Sequence, residues 1–193
     1  PNLAPAIQSE IYPAAYSTQL RAQLAGHTDK VTAVAISEDG RYIATGSEDL
    51  RIILWDANTQ AIITEFSGHQ GIVSGLAFSP DSMQLVSVGN DALVIVWDIA
   101  SGTPLLQLRG HRNVITDVAY SPTGEQFATS SGDDTVIIWD AITGEIIHQL
   151  TGHLDSVRSV AYAPNGNQLV SASRDETLML WDIATGTLIR TYT

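Results

Sequence analysis

Twelve residues that could do chemistry stand in register along this 193-residue chain: His27, Thr45 and Asp49; His69, Ser87 and Asp91; His111, Thr129 and Asp133; His153, Ser171 and Asp175. A histidine, a hydroxyl and a carboxylate are the ingredients of a nucleophilic triad. There the imidazole takes the hydroxyl proton and the carboxylate orients the ring. The spacing argues for something else. The set recurs at intervals of 42 residues, four times over, whereas catalysis needs one site. The hydroxyl alternates between Thr and Ser, and no G-x-S-x-G elbow surrounds it. Six residues after each Asp stands a tryptophan, Trp55, Trp97, Trp139 or Trp181, and these are all the tryptophans of the chain. An indole has no role in a triad, but a buried indole N–H needs an acceptor. The hydroxyl can accept from it and donate onward to an imidazole nitrogen, whose partner N–H can meet the carboxylate.

Other chemistry finds no support. The four in-register histidines follow glycine (Gly26, Gly68, Gly110, Gly152) and lie 42 residues apart, with no H-x-x-x-H pair and no cysteine. Neither zinc nor a disulfide framework is indicated. Phosphate-binding G-x-x-x-x-G-K-[ST] and G-x-G-x-x-G loops are missing, as is the D-x-D-x-D-G spacing of a calcium loop. No cofactor and no metal is expected.

The elements that position these residues are strands. Within one period, short alternating apolar runs cover 31–37, 41–47, 51–56 and 61–66, each too short for a helix. We label them a to d. Turn residues separate a from b: Glu38-Asp39-Gly40, Pro80-Asp81-Ser82, Pro122-Thr123-Gly124 and Pro164-Asn165-Gly166. Val34, Leu76, Val118 and Val160 share one side of strand a with Ile36, Phe78, Tyr120 and Tyr162, while Ala35, Ala77, Ala119 and Ala161 point to the other. Both faces of each sheet are therefore apolar, and radial stacking of sheets would bury them. His148, the one histidine out of register, falls on a d strand and reads as a surface residue.

The recurring Gly-His and Trp-Asp pairs, with the hydroxyl and Asp between them, resemble the WD40 repeat family over residues 18–193. The resemblance implies an all-β fold of four four-stranded antiparallel propeller blades, spanning about 25–66, 67–108, 109–150 and 151–193. It implies one hydrogen-bonded tetrad per blade: His27, Thr45, Asp49 and Trp55; His69, Ser87, Asp91 and Trp97; His111, Thr129, Asp133 and Trp139; His153, Ser171, Asp175 and Trp181. Residues 1–17, with three of the seven prolines, read as a linker or strap. Residues 18–24 match an additional d strand, the one that clasps the last blade in closed rings of the family. The blade count does not close such a ring. Either the chain is the first part of a longer propeller, or copies assemble, for instance two making an eight-bladed ring. The start at Pro1 reads as processing or excision from a longer sequence.

Charge and composition bound the partners. The formal net charge of −12 repels nucleic acid and anionic membrane, and no apolar run reaches the roughly 18 residues of a membrane helix. The absence of cysteine and of a secretion signal fits the cytoplasm. In the family, partners dock where the d–a loops and b–c turns open on one face. The positions that vary there are Lys30, Thr32 and Glu48; Ile72, Ser74 and Asn90; Arg112, Val114, Thr116 and Gly132; and Ser156, Arg158 and Arg174. Arg112, Arg158 and Arg174 make a candidate basic spot for a carboxylate or phosphate, and Ile72 with Val114 a candidate apolar anchor. The expected function is a non-catalytic scaffold for a protein or peptide, as the sensor or regulatory part of a larger signalling protein. The competing reading is a purely structural or engineered self-assembling propeller fragment with no native ligand.

Overall fold

Valine, isoleucine and threonine dominate the apolar runs, and their branched side chains favour the pleated backbone over the helix. The computed structural model describes residues 23–193. Within them the first antiparallel sheet holds β1 (Val31–Ile36), β2 (Tyr42–Ser47), β3 (Arg51–Asp56) and β4 (Ile62–Ser67) in that order. The second holds β5 (Val73–Phe78), β6 (Gln84–Gly89), β7 (Val94–Asp98) and β8 (Pro104–Leu108). The third holds β9 (Ile115–Tyr120), β10 (Gln126–Ser131), β11 (Thr135–Asp140) and β12 (Ile146–Thr151), and the fourth β13 (Val157–Tyr162), β14 (Gln168–Ser173), β15 (Leu178–Asp182) and β16 (Thr187–Tyr192). No helix occurs among the described residues. The linker expected over 1–17 and most of the additional strand expected over 18–24 lie outside the described residues. Gln23 and Leu24 carry no strand assignment.

Hairpin turns hold each meander together. The a–b turns place Gly40, Ser82, Gly124 and Gly166 at positive φ, between 60° and 76°. At the c–d turns the Asp of each Trp-Asp pair caps the bend: Asp56 accepts the N–H groups of Asn58 and Thr59, and Asp140 those of Ile142 and Thr143. These bonds hold both carboxyls below their ordinary value.

Three apolar clusters separate consecutive sheets. In the first, Ala44, Ile52, Leu54 and Phe66 of one sheet meet Leu76, Phe78, Leu85, Ile95 and Trp97 of the next. The second sets Val86, Val88, Val94 and Val96 against Val118, Phe127, Ile137 and Trp139. The third sets Ala128, Val136, Ile138 and Leu150 against Val160, Leu169, Met179 and Trp181. At each of these three junctions the later sheet presents its tryptophan-bearing face and the earlier sheet its opposite face. Burying each large apolar side chain contributes roughly 1.5–3 kcal/mol, and a lone sheet would forgo this on both faces.

At the periphery the c–d turn of one sheet lies on the d strand of the sheet before. Gly144, at φ 73°, approaches Leu108 so closely that a Cβ there would stand 2.5 Å from its Cδ2. The same contact corrects the reading of His148. It is half-buried rather than a free surface residue, because the Gly186 turn packs on its ring, where a Cβ would lie 2.8 Å away.

Candidate functional site

Each histidine sits in the loop ahead of strand a, each hydroxyl on strand b, each Asp in the b–c turn and each Trp on strand c. Antiparallel pairing of b with c brings hydroxyl and indole within reach: the Trp55, Trp97, Trp139 and Trp181 Nε1–H groups donate to Thr45, Ser87, Thr129 and Ser171 at 2.8–2.9 Å. Each hydroxyl lies 2.8 Å from Nε2 of its histidine, His27, His69, His111 or His153. The opposite ring nitrogen, Nδ1, lies 2.9–3.0 Å from the carboxylate of Asp49, Asp91, Asp133 or Asp175. The donors assign the protons. An indole N–H can only donate, so the hydroxyl hydrogen is free to go to Nε2, and the ring carries its own hydrogen on Nδ1, toward the carboxylate.

The electrostatics fit this neutral tautomer. Burial pushes the His69 and His111 rings below their ordinary value, and the neighbouring carboxylates only partly offset it. Burial also opposes ionisation of Asp91, but the Gln70 N–H, the His69 ring and the Leu93 N–H outweigh it and leave the carboxyl below its usual range. Asp133 is lowered against the same burial by the Arg112 N–H, the Thr135 hydroxyl and His111. At Asp49, burial is outweighed by the Thr28 and Arg51 N–H groups, His27 and the Arg51 guanidinium, which reaches Oδ2 at 3.0 Å. Asp175 gains against burial from the Thr177 hydroxyl, the Leu154 N–H and His153.

Ser87, Thr129 and Ser171 have no exposed surface, so each hydroxyl lies between indole and imidazole, shut away from any substrate. The clasp instead ties the loop before strand a to the b–c turn. One backbone bond per sheet pairs the variable rim residues: the N–H groups of Glu48, Asn90, Gly132 and Arg174 donate to the carbonyls of Lys30, Ile72, Val114 and Ser156, each at 2.9 Å. Lys30 and Glu48 also form an ion pair at 3.0 Å. Arg112, Arg158 and Arg174 are exposed, and among the described residues none has an acidic partner within ion-pair distance.

Several rim residues are committed elsewhere. Thr32, Ser74 and Thr116 donate to the carbonyls of Val73, Ile115 and Val157 on the next sheet at 2.5–2.6 Å, so their hydroxyls fasten sheet to sheet and are not free for a partner. Ser156 is buried, and Ile72 and Val114 are half-buried, which leaves little of the expected apolar anchor.

Two features escaped the sequence reading. In every b–c turn a non-glycine residue takes positive φ: Leu50, Ala92, Asp134 and Glu176, at 57–70°. The preceding Asp holds the bend by accepting the N–H two residues on, from Arg51, Leu93, Thr135 or Thr177. An Asp before such a turn was the available signal. The second feature is Asp117 of the third sheet, which accepts from the Ser159 hydroxyl at 2.6 Å and the Val160 N–H at 3.1 Å of the fourth.

Meandering four-stranded sheets, each stacked on the next and each locked by the same buried tetrad, define a β-propeller blade array. The family description "WD domain, G-beta repeat" matches four times, at residues 18–56, 60–98, 102–140 and 144–182, and the chain belongs to the WD40 repeat family. The search among curated proteins returns no match. The matches are offset from the sheets. Residues 60–98 supply β4, the outer strand of the first blade, and then β5, β6 and β7 of the second. Each of the last three matches therefore ties two neighbouring blades together covalently.

Proposed function

We propose that this chain is a non-catalytic scaffold that holds a protein or peptide on its rim, in the cytoplasm, as the sensor or regulatory part of a larger signalling protein. One observation carries the reading. The rim of every blade carries the same backbone bond and the same clasp, yet its exposed side chains differ from blade to blade, ending in three arginines with no acidic partner among the described residues, on a protein of formal net charge −12. A rigid frame spares a bound partner much of the ordering cost of association. Arginine forks recognise carboxylates and phosphates in a planar, two-bond geometry, so the partner surface they favour is acidic. The same charge disfavours nucleic acid, which the rest of the surface would repel. No helix among the described residues is long and apolar enough to cross a membrane, and no cluster of three or more His, Asp or Glu residues there could hold a metal ion.

The test is capture of acidic peptides, with and without phosphate, from a display library at physiological salt. The parent chain enriches a class of acidic ligands, and Arg158→Glu with Arg174→Glu abolishes that enrichment. Equal capture by the reversed variant removes this part of the rim from the reading. Failure of the parent to enrich any ligand favours a purely structural propeller fragment.

A further inference from the structure

The a–b and c–d turns gather at the end of each sheet opposite the clasps. Between consecutive blades they leave a groove there, and three such grooves lie inside the array. The first, about 290 Å³ between the first and second blades, is lined by Asp39, Asp81 and Asp98 and by a cation of the chain itself, Arg41. The Arg41 Nε lies 3.9 Å from Asp39 Oδ2, and its guanidinium stands over the Tyr42 ring. The second, between the second and third blades, is larger, about 540 Å³, and no cation lines it. One period on from Arg41 the chain carries Met83. The third groove, about 430 Å³, is lined mainly by hydroxyl and amide side chains, with Glu125 and Asp182.

We infer that the groove between the second and third blades is a docking site for an arginine side chain of a partner protein, whose stem lies against Pro80, Ala141 and Ile142 and whose guanidinium meets Asp81 and Glu125. The inference concerns the end of the blades opposite the rim and does not rest on partner binding there. Ile142 is 81% exposed, whereas its counterparts in the other c–d turns are Asn58, Ala100 and Ala184. A large apolar side chain thus faces water at this turn alone. Gly124, at φ 76°, brings the third blade's turn onto Pro80, where a Cβ would stand 3.3 Å from Cδ, and this contact closes one side of the groove. Both walls carry a carboxylate, Asp81 on the second blade and Glu125 on the third. Asp81 accepts the Ser79 hydroxyl and the Met83 N–H through Oδ1, and these bonds hold its carboxyl below the ordinary value. Among the described residues its Oδ2 has no hydrogen-bond partner, and no Lys or Arg lies within ion-pair distance of Asp81 or Glu125. A long aliphatic stem can cover the apolar side while a planar fork reaches carboxylates on two walls, which is what distinguishes arginine from a compact cation. In the first groove Arg41 already sets that group beside Asp39, as part of the chain.

The experiment is an amide-shift titration of the isotope-labelled 193-residue chain with the blocked peptide acetyl-Ala-Arg-Ala-amide. The peptide is taken to about 20 mM at physiological salt, a range suited to a single side-chain site. The same peptide with citrulline in place of arginine keeps the shape without the charge and serves as control. The parent is expected to show saturable shifts at Asp81, Met83, Glu125 and Ile142 with the arginine peptide and none with the control. Glu125→Gln is expected to weaken binding up to about fivefold, and Glu125→Arg, which fixes a cation on the groove wall, to abolish it. Ile142→Ser is expected to weaken it by a similar factor. That variant also separates the second groove from the third, because Glu125 borders both and Ile142 only the second. All three variants alter exposed positions, and circular dichroism confirms that they fold. Arg158→Glu with Arg174→Glu is expected to bind the arginine peptide as the parent does, so this test and the rim test fail separately. No saturable shift, equal shifts with citrulline, shifts spread evenly over the acidic turns of every blade, or binding indifferent to Ile142→Ser overturns the inference.

Discussion

Ser87→Ala isolates the hydroxyl at the centre of one clasp. The serine has no exposed surface, accepts the Trp97 N–H at 2.8 Å and faces His69 Nε2 at 2.8 Å. Alanine removes one oxygen and leaves two buried polar groups without partners. Each such group costs about 1–3 kcal/mol, and shared relaxation brings the sum to roughly 2–4 kcal/mol. For a domain of this size that corresponds to a fall in thermal midpoint of roughly 5–12 °C. Ser87→Thr keeps the hydroxyl, and threonine already fills the equivalent positions 45 and 129. Its cost should stay under about 1 kcal/mol. Urea unfolding gives the global figure. Since each blade contacts only its neighbours, local opening can escape a global probe, so the exchange rate of the Trp97 indole proton is the residue-specific readout. It should rise sharply in Ser87→Ala and stay near the parent value in Ser87→Thr. An unchanged midpoint together with unchanged indole protection would refute the hydrogen-bonded role. Equal damage from both substitutions would point to packing instead.

Three other expectations follow from the same geometry. The folded pKa values of His69 and His111 lie below the ordinary 6.5, so their contribution to stability is full above that pH and declines as pH falls below it. Asp91 and Asp133, depressed below 3.8, contribute above that value and lose the contribution as pH falls through their folded pKa. Thermal midpoints should therefore fall in two stages on acidification, and a flat profile between about pH 7.5 and 5 would contradict the neutral-ring assignment. Thr116→Val deletes the bond to the Val157 carbonyl and should cost about 1 kcal/mol in urea unfolding, with amide protection lost first along Val157–Tyr162. Ala92→Gly relieves a left-handed alanine at φ 57° and should stabilise by up to about 1 kcal/mol, less the entropy glycine adds to the unfolded chain. A clear loss of stability in calorimetry would show that the turn is unstrained.

Most of the blade architecture is legible in the residue order. The strands over 31–37, 41–47, 51–56 and 61–66 differ from those observed by at most one residue at either end, because alternation and turn residues are local signals. The tetrad residues also declare themselves, since four groups with complementary donors and acceptors recur in one register. Other assignments depend on what lies beyond the sheet. Val34 and Leu76 have the same place in the pattern, yet one is exposed and the other buried, because among the described residues only the second has a preceding sheet against it. Thr32, Ser74 and Thr116 read as variable rim residues, but their acceptors stand about 41 residues away on the next blade. His148 looked free until the Gly186 turn closed on it. By itself the sequence determined the strands, the period and the chemistry of each clasp, because the pleat and short-range hydrogen bonding act within one blade. Which faces are covered and which hydroxyls are committed was decided by tertiary stacking, where residues distant along the chain compete for the same surface.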